Sequence, residues 1–79
     1  MRHEVTLLVR ADCHGCAEAR ADIARICSEL GVPWRISDVD ADPRLRAEYG
    51  DRVPVILLDG REHSFWTVHE QRLRAALTL

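Results

Sequence analysis

Two cysteines separated by two residues are the part of this sequence best suited to chemistry. Cys13 and Cys16 enclose the dipeptide His14-Gly15, and this spacing puts both sulfurs within about one helical turn, close enough to form a disulfide. A cysteine reacts as its thiolate, and pairs with this spacing at the start of a helix have lowered pKa values. Attack by Cys13 on a disulfide would give a mixed disulfide, which Cys16 would then resolve. The pair therefore predicts a thiol–disulfide oxidoreductase.

The same cysteine pair also fits two other kinds of protein. One is a metal-binding carrier or an assembly module for iron–sulfur clusters or metals, because small metal carriers also place such a pair after their first strand. Those carriers normally have methionine two residues before the first cysteine, where this chain has Ala11, and a closed zinc site needs four ligands. The other is a non-catalytic interaction module whose cysteine pair is inert. We keep both as alternatives and expect no metal ligands among the site residues.

The third cysteine is interpreted as a core residue. Cys27 shares an apolar stripe with Ile23, Ile26 and Leu30 at helical spacing. A buried free cysteine behaves as a small hydrophobic side chain. We therefore expect no redox role for it.

Length and charge limit the partners and the location of the protein. The chain has 79 residues, which fits a single domain over 1–79. Its eleven basic residues, all arginines, stand among thirteen acidic ones, with a formal net charge of −2, and they form no stripe that would bind nucleic acid. No run approaches the ~20 apolar residues of a membrane span, and the apolar run near the N-terminus is too short for a secretory signal. We expect a cytoplasmic monomer that binds neither nucleic acid nor membranes.

The elements that must position the cysteine pair follow from the hydrophobic period and from turn residues. In chain order we predict strand 4–10, helix 14–30, strand 34–39, helix 43–49, strand 54–58, strand 61–66 and helix 68–78. Asp42-Pro43 is typical of a helix start, and Asp59-Gly60 is a strong two-residue hairpin signal. Thr67 followed by Glu70 predicts a capping box for the last helix.

These elements combine into an α/β fold of order β-α-β-α-β-β-α. The first β-α-β unit gives two parallel strands through a right-handed crossover. The Asp59-Gly60 hairpin makes the last two strands antiparallel. A four-stranded mixed sheet with helices on both faces accounts for every element.

A proline at the start of the third strand connects this fold to the cysteine pair. If the third strand runs antiparallel beside the first, its start lies next to the end of the first, and Pro54 then abuts Cys13. A cis bond between Val53 and Pro54 would leave the backbone of Val53 free to pair with an extended substrate. Such bonds occupy only ~5–6% of X–Pro positions in general, so the expectation depends on the topology.

These features together resemble the glutaredoxin-like branch of the thioredoxin superfamily. The resemblance covers nearly the whole chain, from the Thr6–Val9 strand through the Cys13-His14-Gly15-Cys16 motif and Val53-Pro54 to the hairpin and the last helix. It implies a thioredoxin-like fold, a nucleophilic Cys13, a resolving Cys16 and a cis Pro54 that shapes the substrate groove.

The resemblance also implies a reaction partner and an electron donor. The substrate would be a disulfide-containing protein or a mixed disulfide of a small thiol. No bound cofactor is implied, and the reductant would be glutathione, another low-molecular-weight thiol, or a thioredoxin-type reductase. The candidate substrate-binding residues are Arg10, His14, Val53 and Pro54.

Three departures from the glutaredoxin pattern concern glutathione. Gly15 replaces the aromatic residue usual before the second cysteine, and Arg52 replaces the usual threonine before the Val-Pro pair. The segment 65–69 (Phe-Trp-Thr-Val-His) replaces the Gly-Gly turn and the acidic residue that hold the glutathione carboxylate. We therefore expect weak use of glutathione, although Arg10, Arg52 and the Val53 backbone could hold a different anionic thiol.

The aromatic pair in this segment has two interpretations. Phe65 and Trp66 could form a patch that faces substrate, but we expect one ring in the core and the other partly exposed. The histidines His3, His63 and His69 are interpreted as surface or cap residues.

Overall fold

The computed structural model describes residues 2–79. Its elements are strand β1 (Val5–Val9), helix α1 (Cys16–Leu30), strand β2 (Trp34–Asp38), one turn of 3-10 helix (Val39–Ala41), helix α2 (Pro43–Tyr49), strand β3 (Val55–Leu58), strand β4 (Arg61–Phe65) and helix α3 (Glu70–Leu77). The predicted order of strands and helices is confirmed. None of the helices within the described range has the length and apolar composition needed to cross a membrane.

The four strands form one mixed sheet in the order β2-β1-β3-β4. β1 and β2 are parallel, whereas the β1–β3 and β3–β4 pairs are antiparallel. Leu8 near the end of β1 lies opposite Val55 at the start of β3. The predicted sheet is therefore confirmed, and the chain segments that follow β1 and precede β3 meet at the same end of the sheet.

Both faces of the sheet are covered, because the central strands are apolar on both sides. On one face, α1 and α3 pack over a buried cluster: Val5, Leu7, Ala19, Ile23, Ile26, Cys27, Ile56, Leu73 and Leu77. On the other face, the 3-10 turn and α2 cover a smaller cluster: Leu8, Val39, Val55 and Leu57, with Leu45, Tyr49 and Val53 against it. This double coverage fixes the position of β1 and β3, from which the site is built.

Local turn chemistry explains the two best predicted boundaries. The side chain of Asp42 accepts a hydrogen bond from the Arg44 N–H at 2.9 Å and caps α2, with Pro43 in the first helical position. Asp59 and Gly60 both have positive φ, at 53° and 83°, as the tight turn of a two-residue hairpin requires.

Most predicted boundaries differ from the structure by one or two residues: strand 4–10 is Val5–Val9, strand 54–58 begins at Val55, strand 61–66 ends at Phe65 and helix 68–78 ends at Leu77. The differences at the starts of α1 and α3 have local causes. α1 begins at Cys16 and not at residue 14, because Gly15 has φ 121°, outside the helical region. α3 begins at Glu70 and not at residue 68, and the capping box is absent: His69 is the cap residue and makes no side-chain cap bond. The chain at Thr67 is still leaving β4 through a left-handed residue, Trp66. The strand 34–39 ends at Asp38, where the 3-10 turn begins.

Ion pairs connect α1 to α3 across their exposed sides. The two carboxylate oxygens of Glu70 accept from both terminal nitrogens of Arg25 at 2.8 and 2.9 Å, and one of them also accepts from Nε of Arg74 at 2.9 Å. Arg74 in turn donates to Glu29 at 2.6 Å. These bonds lower the pKa of Glu70 to about 2, the hydrogen bonds from Arg25 and Arg74 being the main causes.

This network predicts a loss of stability in acid. The pKa of Glu70 is about 2 in the folded chain against an ordinary 4.5, so the unfolded chain takes up this proton first as the pH falls. The contribution of Glu70 is complete above its ordinary pKa and is lost as the pH falls toward 2. We expect Glu70→Gln to be less stable than wild type at pH 7 and to lose less stability between pH 6 and pH 3, measured by urea unfolding.

A matched control is Glu4→Gln, since its nearest cation, Arg35, lies 3.7 Å away and both side chains are exposed. This variant should keep the acid dependence of the wild type. An equally steep acid dependence in Glu70→Gln would show that the α1–α3 ion pairs contribute nothing measurable.

Candidate active site

The cysteine pair lies in the loop that joins β1 to α1. Cys13 and Cys16 form a disulfide with an Sγ–Sγ distance of 2.04 Å and a Cα–Cα distance of 5.6 Å. Both residues are partly exposed. The loop reverses the chain through two residues with positive φ, Asp12 at 59° and Gly15 at 121°. The structure therefore brings the two predicted redox residues together at the entrance of α1.

Glycine at position 15 is required by its backbone conformation. Its φ of 121° lies in a region that residues with a Cβ rarely adopt. A Cβ placed there would lie 3.8 Å from Cδ of Pro54 and 3.8 Å from the carbonyl oxygen of Trp66, which are ordinary contacts. The backbone conformation, more than lack of space, thus disfavours the aromatic residue usual in glutaredoxins.

The N-terminus of α1 has no side-chain cap. Gly15 is the cap residue and has no side chain that could accept a hydrogen bond from the first amides. The first amides of a helix have no partner within the helix, and together with the helix dipole they favour a negative charge. Cys13 stands just before these amides. In the reduced protein this arrangement can stabilise a thiolate on Cys13.

The opposite wall of the site comes from the start of β3. The Val53–Pro54 peptide bond is cis, and Pro54 is buried. The Pro54 carbonyl accepts a hydrogen bond of 2.7 Å from the N–H of Trp66, which ties the proline to the end of β4. Among residues 2–79, Val53 makes no backbone–backbone hydrogen bond outside the regular elements. Within the described residues its peptide groups thus have no backbone partner of this kind.

These segments enclose an open cleft of about 620 Å³ above the disulfide. Its lining residues are Arg10, Ala11, Asp12, Cys13, His14, Asp40, Gly50, Val53, Pro54 and Trp66. All four predicted substrate-binding residues, and the predicted nucleophile, thus lie in one cleft. Their roles in substrate binding stay predictions.

Arginine side chains around the cleft are engaged by acidic residues. Nε and one terminal nitrogen of Arg10 each lie 3.1 Å from a different oxygen of Asp40, and its other terminal nitrogen donates to the Gly50 carbonyl at 2.9 Å. Arg52 lies 3.2 Å from Glu62 and stacks over the rings of Tyr49 and Phe65 at 5.4 and 5.8 Å. Neither arginine presents an uncompensated charge to the cleft.

The residues Asp40 and Gly50 were not foreseen as part of the site. Asp40 stands between Asp38 and Asp42, whose side chains cap the 3-10 turn and α2. Its partner Arg10 is far away along the chain, so no local pattern shows the ion pair. Nothing in the sequence distinguishes Gly50 from an ordinary helix stop.

The aromatic pair at the end of β4 is exposed, so the expectation that one ring enters the core is wrong. Phe65 is 38% exposed and Trp66 is 64% exposed. Their rings meet edge to face, with centroids 5.0 Å apart. Trp66 also has a φ of 69°, a left-handed conformation that costs about 1–2 kcal/mol for a residue with a Cβ. The hydrogen bond to Pro54 holds it there.

The third cysteine lies apart from the site. Cys27 is 1% exposed and belongs to the cluster under α1 and α3, so its prediction as a core residue is confirmed. Burial raises the pKa of its thiol. Among residues 2–79, no three histidine, cysteine or acidic side chains come together in a metal-binding arrangement.

Comparison with known proteins agrees with this geometry. The profile of the family described as a glutaredoxin-like domain (DUF836) matches residues 4–78. The chain belongs to the glutaredoxin-like family. An uncharacterised protein of Mycobacterium tuberculosis is 52% identical over 79 residues, across 94% of this chain and 81% of its own length.

Two solved structures place the glutaredoxin-like domain among its neighbours. An X. campestris protein is 37% identical and has a TM-score of 0.71 over 94% of this chain and 95% of its own. Thioredoxin from Fasciola hepatica has a TM-score of 0.69 over 98% of this chain and 79% of its own, at 23% identity. The thioredoxin likeness shows the fold alone, and the thioredoxin-like architecture expected from the sequence is confirmed.

The geometry predicts an order of alkylation in the reduced protein. With limiting iodoacetamide at pH 6, Cys13 should be labelled first, because the amides of α1 stabilise its thiolate. Cys27 should be labelled last, because it is buried and its thiol has a raised pKa. Peptide mass spectrometry after quenching at successive times measures the order.

The same labelling in urea is the control, since unfolding should make all three cysteines react at similar rates. First reaction at Cys16 or Cys27 in the folded protein would contradict the assignment of Cys13 as the nucleophile.

Proposed function

We propose that this glutaredoxin-like domain is a thiol–disulfide oxidoreductase, with Cys13 as the attacking and Cys16 as the resolving cysteine. The observation that carries the proposal is the position of the pair. Cys13 lies before an uncapped helix N-terminus and beside Pro54 at the edge of an open cleft. That combination favours a thiolate on Cys13 and leaves room for a substrate disulfide to approach it.

The proposed reaction transfers two electrons in two exchange steps. In the first, the Cys13 thiolate attacks one sulfur of the substrate disulfide, an intermolecular S–S bond forms, and the other substrate sulfur leaves as a thiolate that takes up a proton. In the second, the Cys16 thiolate attacks Sγ of Cys13, which releases the remaining substrate thiolate and forms the Cys13–Cys16 disulfide. The substrate gains both electrons, and a thiol or a reductase of thioredoxin type must return two electrons to the pair.

The backbone next to the cis proline would orient the substrate. Val53 precedes Pro54 at the cleft wall and makes no backbone–backbone hydrogen bond outside the regular elements within the described chain. An extended substrate segment could therefore pair with its N–H and carbonyl as an additional strand does. Such pairing reads main-chain geometry, so it suits a disulfide within a polypeptide.

The test is to trap the intermediate. We expect Cys16→Ser to accumulate a mixed disulfide between Cys13 and a substrate, because the resolving thiol is missing. With insulin as a model disulfide-containing protein, non-reducing electrophoresis and mass spectrometry should show one substrate chain attached at Cys13. Wild type should reduce insulin in the presence of a dithiol.

Two further variants complete the experiment. Cys13→Ser should give neither adduct nor turnover. Cys27→Ala should retain the turnover of wild type, and Cys27→Ala combined with Cys16→Ser should retain the adduct, because Cys27 lies in the core. An adduct at Cys16, or full turnover by Cys13→Ser, would contradict the assigned roles. Stoichiometric metal on anaerobically purified protein together with no exchange would instead favour the metal-carrier alternative.

A further inference from the structure

The cleft beside Cys13 has an unbalanced negative charge. Asp12 and Asp40 both line it, but Asp40 is neutralised by the two bonds from Arg10. The carboxylate of Asp12 accepts no hydrogen bond and forms no ion pair among the hydrogen bonds and ion pairs of residues 2–79. Arg52, which precedes Val53 in the chain, is paired with Glu62. The remaining charge next to the attacking sulfur is therefore negative.

An aromatic surface faces the same cleft from the other side. Trp66 lines it together with Cys13 and Pro54, and the residue is 64% exposed. A backbone hydrogen bond to the Pro54 carbonyl holds the main chain of Trp66, and its ring contacts Phe65 edge to face. Tryptophan is the best aromatic partner for a cation that lies over its face.

From these two features we infer that the natural substrate is a protein disulfide with an arginine or lysine close to the attacked cysteine. The cation would lie between the Asp12 carboxylate and the Trp66 ring. This inference rests on the proposed oxidoreductase function and specifies its substrate class.

The same features disfavour an acidic thiol such as glutathione. Glutathione has two carboxylates, and in this cleft the arginines that could receive them are already bonded to acidic side chains. At the turn after β4, where glutaredoxins have the Gly-Gly turn that holds the glutathione carboxylate, this chain has the left-handed residue Trp66 with its large side chain. A carboxylate placed beside Asp12 would be repelled, since like charges in a cleft disfavour one another.

Three synthetic peptides test the inference. Each is a short peptide with one cysteine as a mixed disulfide with 2-thiopyridine, and the residues flanking the cysteine are arginine, alanine or glutamate. The reduced protein is mixed with each peptide, and the release of 2-thiopyridine gives a second-order rate constant. Dividing it by the rate constant with dithiothreitol removes the intrinsic reactivity of each disulfide. A fourth probe is the 2-thiopyridine disulfide of glutathione.

We expect the arginine peptide to react about tenfold faster than the glutamate peptide, with the alanine peptide between them. Asp12 and Trp66 should each contribute about two- to fivefold, as exposed ion pairs and cation–π contacts do. Raising the salt to 0.5 M should reduce the preference, because surface charges are then screened within a few ångströms. The glutathione probe should react no faster than the alanine peptide.

Variants assign the preference to the two residues. Asp12→Asn should reduce the ratio of the arginine to the glutamate rate constant, and this ratio is unaffected by any general change in Cys13 reactivity. Trp66→Asn should reduce it too, and asparagine tolerates the left-handed backbone at this position. Glu4→Gln removes the same unit of charge at the far end of β1 and should keep the wild-type ratio.

The outcomes separate the inference from the proposed function. Three results would overturn the inference while leaving exchange intact. They are equal rates for the three peptides, a glutathione probe that reacts faster than the alanine peptide, and an unchanged ratio of the arginine to the glutamate rate constant in both Asp12→Asn and Trp66→Asn. Failure of all four probes to react above the rate of free cysteine would overturn the proposed function itself.

Discussion

Backbone pairing between β1 and β3 is the interaction on which the site depends. The strands run antiparallel with Leu8 opposite Val55, so the chain leaving β1 toward Cys13 meets the chain that enters β3 from Pro54. This register is set by burial, because Leu7 packs under α1 and α3 while Leu8 packs toward α2. A slip by one residue would turn every side chain of β1 to the opposite face. The geometry of the cleft is thus a consequence of core packing.

The small size of the chain explains why its charged residues also help to stabilise the fold. A domain of this length buries only about 60% of the surface of its unfolded chain, so the core alone stabilises it weakly. Arg10 joins the loop after β1 to Asp40 and to the end of α2 at Gly50. Arg52 similarly joins the start of β3 to Glu62 on β4. Because these arginines hold the cleft walls in place, they are not free to receive anions, and the electrostatic character of the site follows from its architecture.

Features encoded locally or fixed by strand topology could be predicted from the sequence, whereas side-chain and backbone contacts between distant segments could not. The Asp59-Gly60 turn and the Asp42 cap need only neighbouring residues, so both are as expected. The capping box fails because Trp66 adopts a left-handed conformation, held by a hydrogen bond to Pro54 from another strand. Likewise, the ion pair of Arg10 with Asp40 forms only after β1 and the 3-10 turn pack together. The cysteine pair and Pro54 could be placed because strand topology, more than side-chain detail, brings them close.

The helix N-terminus beside the cysteine pair is capped differently from the N-termini of the 3-10 turn and α2. The 3-10 turn and α2 are each preceded by a capping aspartate, Asp38 and Asp42, whose side chain accepts a hydrogen bond from a backbone amide at 2.9 Å. The cap residue of α1 is instead Gly15, which leaves the first amides of the helix without a side-chain acceptor. A side-chain cap would be worth about 1 kcal/mol, whereas a negative charge at an exposed helix N-terminus gains about 0.3–1 kcal/mol. The two are comparable, so a capped α1 would have lost through competition much of what it can give to a thiolate. α3 also lacks a side-chain cap, but no cysteine precedes it. Within residues 2–79, α1 is the helix whose uncapped end coincides with a cysteine, and this is the cysteine proposed to react as a thiolate.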